Sequence, residues 1–190
     1  NMTRIKHILP FLMFLLTGCN NFANNNPIVN NMDTSKNPNP VYSNTDTEKV
    51  EISNAEWQKI LPKEVYEIAR EKGTERAYSG AFWETKDAGK YYCAACGNPL
   101  FTSNGKFESS CGWPSFFEPI TKGSIIYAPD NTYGMNRTEV MCGRCKAHLG
   151  HVFDDGPPPT GLRYCINSVI LDFHKAKDAD DNFKKEANPQ

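Results

Sequence analysis

Two CxxC pairs, Cys93/Cys96 and Cys142/Cys145, constrain this chain more than any other feature: they place four thiols at the spacing of a closed, tetrahedral metal site. A disulfide inside a CxxC closes a very small loop and adds little stability, whereas the same spacing lets one tight turn present both sulfurs to a single ion. Gly97 and Gly143 suit such turns. Because the pairs lie far apart in the chain, a shared ion would tie distant hairpins together. Four protein ligands leave no coordination position for water, so the expected ion is a structural zinc and not a catalytic one. Structural disulfides among Cys93, Cys96, Cys111, Cys142, Cys145 and Cys165 are the competing account.

The remaining cysteine, Cys19, ends Leu16-Thr17-Gly18-Cys19, behind a short basic start (Arg4, Lys6) and an apolar run from Ile8 to Leu16. That run is too short to span a bilayer, and the layout is that of a bacterial lipoprotein signal over 1–18 with lipidation at Cys19. The expected address is the bacterial cell envelope, lipid-anchored and extracytoplasmic, and Asn20 in place of an aspartate favours the outer over the inner membrane. Removing the signal takes away Arg4 and Lys6, so 21 basic residues become 19 against 22 acidic ones, a formal charge of −3. That balance gives no electrostatic case for nucleic acid.

Residues 19–50 are rich in Asn, Pro, Ser and Thr and nearly free of large apolar side chains, which predicts a flexible linker unable to bury enough surface to offset its ordering entropy. Residues 175–190 alternate charges around Phe183 and read as a solvated tail. The interval 51–174 is one domain of ordinary size. Within it, Ser53-Asn54-Ala55-Glu56 reads as a capping box opening a short helix. Pro62 sits at the first turn of a second helix, apolar at Val65, Ile68 and Ala69, that runs to about Lys72 and stops at Gly73. Beyond it, short runs at Tyr91-Tyr92, Leu100-Phe101, Ser124–Ala128, Arg137–Met141 and Val169–Phe173 alternate with Gly, Pro, Asn and Asp, as short antiparallel strands do. The expected fold class is mainly β with short N-terminal helices.

Three further groups carry candidate chemistry. His148 and His151 follow closely on Cys145; acid/base work near neutral pH is one use for them, replacement of a cysteine as metal ligand by His148 another, and a structural role a third. Cys165 lies between Arg163 and Asn167, and on a strand these three residues share one face, where a guanidinium favours thiolate and an amide can position a polar group; a buried, inert cysteine is the alternative. Cys111 stands beside Trp113, whose indole is either core or the wall of a pocket for a thioether methyl.

Together, Cys93-x-x-Cys96, Ser110-Cys111-Gly-Trp113-Pro-Ser-Phe116, Cys142-x-x-Cys145-x-x-His148-Leu-Gly-His151-Val-Phe153-x-Asp155-Gly-Pro157 and Arg163-Tyr-Cys165-Ile-Asn167-Ser closely resemble the B-type methionine sulfoxide reductases, which reduce the R epimer of methionine sulfoxide. The resemblance runs in order from about Ile52 to Phe173. It implies two antiparallel β-sheets, a structural zinc on Cys93, Cys96, Cys142 and Cys145, Cys165 as nucleophile, and Cys111 as the resolving thiol that closes a Cys111–Cys165 disulfide. It also implies that His148 and His151 supply or organise a proton with Asp155 as orienting partner, that Trp113 and Phe153 hold the substrate methyl, and that Arg163 and Asn167 line the site. Combined with an anchor at Cys19, it implies oxidised exported proteins as substrates and a thioredoxin-like donor outside the cytosol as reductant.

Overall fold

The computed structural model describes residues 39–176; the expected signal over 1–18, Cys19, residues 20–38 of the expected linker and residues 177–190 of the expected tail lie outside the described residues. Among the described residues, no helix is long and apolar enough to cross a membrane.

The capping box forms as the sequence suggests. Ser53 Oγ accepts from the Glu56 N–H and the Glu56 carboxylate accepts from the Ser53 N–H, opening helix α1 (Asn54–Ile60), which buries Trp57. Helix α2 (Lys63–Ala69) follows Pro62 and ends before Lys72. Lys72 turns into the left-handed region (φ 57°) and the Gly73 N–H bonds back to Glu67 O, which closes the helix early.

Among the described residues, nine strands follow: β1 (Gly89–Cys93), β2 (Pro99–Thr102), β3 (Lys106–Phe107), β4 (Ser115–Phe116), β5 (Ile125–Asp130), β6 (Arg137–Cys142), β7 (His148–Phe153), β8 (Arg163–Ile166) and β9 (Leu171–Lys175). They form a three-stranded sheet, β2-β1-β9, and a six-stranded sheet, β3-β4-β8-β7-β6-β5. Every pairing is antiparallel, so the fold is mainly β with two antiparallel sheets, as expected. β9 extends through Lys175, which the sequence reading assigned to the tail.

Aromatic rings bind the sheets together. Phe101 of β2 stacks on Phe116 of β4 with centroids 4.3 Å apart, and Tyr91 of β1 meets the same ring edge-on at 5.0 Å. A second link is the four-cysteine cluster, for Cys93 ends a strand of the smaller sheet and Cys142 a strand of the larger.

Order is present on the N-terminal side of the expected boundary at Glu51, because residues 39–50, expected to be flexible linker, are fastened to the cysteine turns. Arg144, between the cysteines of the second pair, is 5% exposed. Its guanidinium donates to Val41 O (2.9 Å), Cys96 O (2.5 Å), Glu48 O (3.0 Å) and the Asp46 carboxylate (2.5 Å). Lys49 Nζ donates to Gly143 O, and the Asn39 side chain to Ala95 O, both at 2.7 Å. Gly97 (φ +79°) makes room for the strap: a Cβ there would stand 2.6 Å from Ser43 O. Composition missed this segment because its order comes from one buried cation with many acceptors, not from apolar burial. Replacing Arg144 by Met leaves those carbonyls without donors, and urea unfolding is expected to report a loss of about 3 kcal/mol. A loss under about 1 kcal/mol, the level of a neutral surface change, would mean that the strap is held by other contacts.

Candidate functional site

The site is a product of register. In an antiparallel ladder, directly opposite residues point to the same face. Cys165 on β8 lies opposite both Ser115 on β4 and His151 on β7, and His151 lies opposite Glu139 on β6. Ser115, Cys165, His151 and Glu139 therefore form one row across the six-stranded sheet, flanked by a second row in which Arg163 faces Phe153. His148, three residues before His151, would point to the other face of a regular strand. A bulge reverses it: Val140 pairs with Gly150 but Met141 pairs with His148, so Leu149 is the extra residue. The two imidazoles now share a face, with centroids 5.5 Å apart. Only glycine fits at position 150, where a Cβ would lie 2.0 Å from Cys165 O.

The Cys111 and Cys165 sulfurs are 3.5 Å apart, both half-buried, so the turn after β3 brings its thiol onto the row. Cys111 Sγ also lies 2.9 Å from Ser109 Oγ and 3.4 Å from Ser115 Oγ. The hydrogen bond with Cys165, outweighing burial, and those with the two serines hold the Cys111 thiol down at about 4. Cys165 is pushed up, first by the same bond and then by burial. Arg163, expected to favour a Cys165 thiolate, exerts a smaller pull, since its guanidinium is already paired with Asp155. The shared hydrogen bond thus lowers the Cys111 thiol and raises that of Cys165.

Each histidine has a carboxylate partner, and neither partner is Asp155. His151 Nε2–H donates to Asp130 Oδ2 at 2.7 Å, and His148 Nδ1–H to Glu139 Oε1 at 2.8 Å. Asp130 lies well below the usual carboxylate range because the Thr132 hydroxyl and N–H and His151 all donate to it. Asp155 instead forms a two-point pair with Arg163 at 2.9 and 2.8 Å, and the Arg163 guanidinium lies 4.5 Å from the Phe153 ring centroid. Asp130 and Glu139 escaped the sequence reading; their only signal was a position on strands that a correct pairing would bring beside β7.

Asn167 also differs from expectation. It is buried, its side-chain N–H donates to Leu149 O (3.0 Å) and its oxygen accepts from the Glu75 N–H (3.0 Å). It therefore braces the bulge and the loop at Glu75. The Trp113 indole N–H donates to Glu75 O at 3.2 Å, so both residues hold the same loop while Trp113 stays half-buried beside Cys111.

The sulfurs of Cys93, Cys96, Cys142 and Cys145 all lie within 4.8 Å of one another and are buried. Cys93 and Cys145 sulfurs are 3.9 Å apart and those of Cys96 and Cys142 3.6 Å. A tetrahedron with metal–sulfur bonds of about 2.3 Å has edges of about 3.8 Å, so this cluster can hold a metal ion. Sulfur contacts with Cys142, Cys145 and Cys96, ahead of burial, push the Cys93 thiol far up, which is the repulsion a bound cation would relieve. His148 is not among the residues of this cluster.

This geometry has close relatives. A SelR domain matches residues 61–175. Peptide methionine sulfoxide reductase MsrB of Hahella chejuensis is 54% identical over 129 residues, which cover 68% of this chain and 93% of that protein. The protein of the same name from Pseudomonas fluorescens is 57% identical over 125 residues, 66% of this chain and 96% of its own length. That of Leptospira interrogans is 53% identical over 127 residues, 67% and 97% of the two chains. With a SelR domain over more than half its length and these relatives matched almost from end to end, the chain belongs to the MsrB family of peptide methionine sulfoxide reductases.

Proposed function

We propose that this chain reduces the R epimer of methionine sulfoxide in proteins, with Cys165 as nucleophile and Cys111 as resolving thiol. The observation that carries the reading is the pair of thiols 3.5 Å apart with His151 directly opposite Cys165, in a member of the MsrB family.

In the resting pair, Cys165 holds the proton. Transfer of that proton to the neighbouring Cys111 thiolate frees Cys165 to attack the sulfoxide sulfur. The sulfoxide oxygen takes a proton from Nδ1 of His151 in its imidazolium form, Nε2–H staying on Asp130, and moves to Cys165 as a sulfenic acid, while the methionine thioether departs with the two electrons. Cys111, now a thiol, attacks the Cys165 sulfur; its proton leaves with the hydroxyl as water, and the Cys111–Cys165 disulfide remains. Asp130 fixes the His151 ring, Trp113 and Phe153 receive the methyl group, and the Arg163–Asp155 pair closes one side of the site. Asn167 supports the bulge that aligns the histidines. A dithiol protein of thioredoxin type returns the enzyme to its reduced form. The four-cysteine cluster takes zinc, which when bound neutralises the thiolates and holds the two sheets in place. With the lipoprotein signal and Cys19 lipidation expected from the sequence, the domain works outside the cytosol on a membrane tether, the outer membrane favoured, and its substrates are oxidised exported proteins.

Turnover of a resolved pair of epimers in a blocked peptide, with dithiothreitol as reductant, tests the reaction. The R epimer alone should be consumed; Cys165→Ser should abolish this, while Cys111→Ser should yield one methionine per enzyme in the absence of dithiothreitol and lose recycling by a thioredoxin-like donor. A first turnover surviving in Cys165→Ser would give the nucleophilic role to another sulfur. Iodoacetamide at pH 6 checks the thiol pair. A lowered pKa means that Cys111 is thiolate above about 4 and loses reactivity only as pH falls through that value, so Cys111 should be alkylated well before Cys165. Metal analysis should find one zinc per chain, lost in Cys142→Ser; another metal, or retention in that variant, would count against the assignment.

A further inference from the structure

His148 lies deeper than His151, and its surroundings give it separate work. Glu139 bridges it to a cation: one carboxylate oxygen lies 2.8 Å from His148 Nδ1 and the other 2.7 Å from Lys72 Nζ. The Glu139 side chain is 2% exposed. Burial acts to raise its carboxyl, but the hydrogen bonds from Lys72 and His148 outweigh that and keep the group ionised. An ionised carboxylate can only accept, so the proton between the two residues belongs to His148 Nδ1, and the neutral ring then has a bare, accepting Nε2. Burial holds His148 below its ordinary value against the pull of Glu139, with His151 and Lys72 adding to the effect. Nε2 itself is buried and has no partner among the described residues. The ring nitrogens face opposite sides of an imidazole. His148 shares the sheet face of His151, with ring centroids 5.5 Å apart, and His151 lies directly opposite Cys165 on β8.

We propose that Glu139, held by Lys72, is a positioning residue that fixes His148 as the Nδ1–H tautomer, so that Nε2 accepts the hydrogen bond of the Cys165 sulfenic hydroxyl and turns its sulfur toward Cys111. This deepens the reading above and rests on it. His151 delivers the proton to the oxygen; His148 then orients the S–OH group for condensation. The two histidines are divided by their partners: Asp130 takes the Nε2–H of His151 and leaves its Nδ1 to pass a proton near the surface, while Glu139 takes the Nδ1–H of His148 and leaves its Nε2 as an acceptor beneath it. A buried acceptor with no protein partner needs an incoming donor, and the sulfenic acid is the one group with a fresh O–H that the reaction creates on this row.

The test is Glu139→Gln. The Lys72 ammonium only donates, so it takes the amide oxygen and turns the amide nitrogen to His148, which drives the imidazole proton to Nε2. Imidazole 15N spectra should report His148 as Nδ1–H in the wild type and Nε2–H in the variant. Disulfide formation should slow by about tenfold or more, the sulfenic acid should accumulate as a dimedone adduct, and the KM for sulfoxide should stay unchanged. Adding Lys72→Met frees the glutamine to turn its oxygen to Nδ1 and should restore both tautomer and condensation rate, a rescue that a purely structural role would not give. Forming the sulfenic acid with hydrogen peroxide tests the same step without sulfoxide. Failure of the wild type to reduce any sulfoxide would thus remove the proposed function, while the peroxide arm would still judge the role of Glu139. An Nε2–H tautomer in the wild type overturns the proposal with no variant required. So does a folded, metal-bearing Glu139→Gln protein that condenses at the wild-type rate.

Discussion

The four-sulfur cluster is the constraint on which the rest of the structure depends. One pair of its thiols belongs to a turn after β1 and the other to a turn after β6, so it fixes the end of a strand in each sheet. β6 is the ladder partner of β7, and β7 of β8; the position of Cys165 opposite His151 follows from that chain of pairings. The aromatic contacts of Phe101, Phe116 and Tyr91 close the two sheets over one core but are not directional enough to set register. Directional bonds do that, and the cysteine turns concentrate them.

The chemistry of the site comes from an uneven distribution of charge on one sheet face. Two carboxylates, Asp130 and Glu139, are kept ionised by donors that surround them, and each commits one nitrogen of a histidine. Two sulfurs share a hydrogen bond that lowers the Cys111 thiol, and the Ser109 and Ser115 hydroxyls add to that lowering. The result is a surface on which hydrogen-bond donors, acceptors and two thiols stand at fixed points, with Arg163, paired to Asp155, beside the reacting sulfur.

Much of this was legible in the chain. CxxC spacing announced the cluster because adjacent ligands are close in sequence, and the capping box at Ser53 and Glu56 announced α1 for the same reason. What stayed hidden was set by distant pairing. Asp130 and Glu139 are ordinary acidic residues until β5 and β6 fold beside β7. Asp155, which the resemblance implied as the partner of the histidines, sits past the strand end and meets Arg163, while a bulge turns His148. Asn167 shares the strand direction of Cys165, yet β8 ends at Ile166 and the amide turns to the backbone of Leu149 and Glu75. Residues 39–50 are polar and read as linker, because nothing local reveals that Arg144 waits for their carbonyls.

That strap has a mechanical meaning. A pull applied at Asn39 arrives at Ala95, Cys96 and Arg144, residues lying within the two cysteine turns. Several hydrogen bonds share the load, and they are rooted in the turns that carry the four-cysteine cluster. None of these attachment points belongs to the row of Ser115, Cys165, His151 and Glu139, so such a pull meets the cysteine turns and not the sulfurs that react.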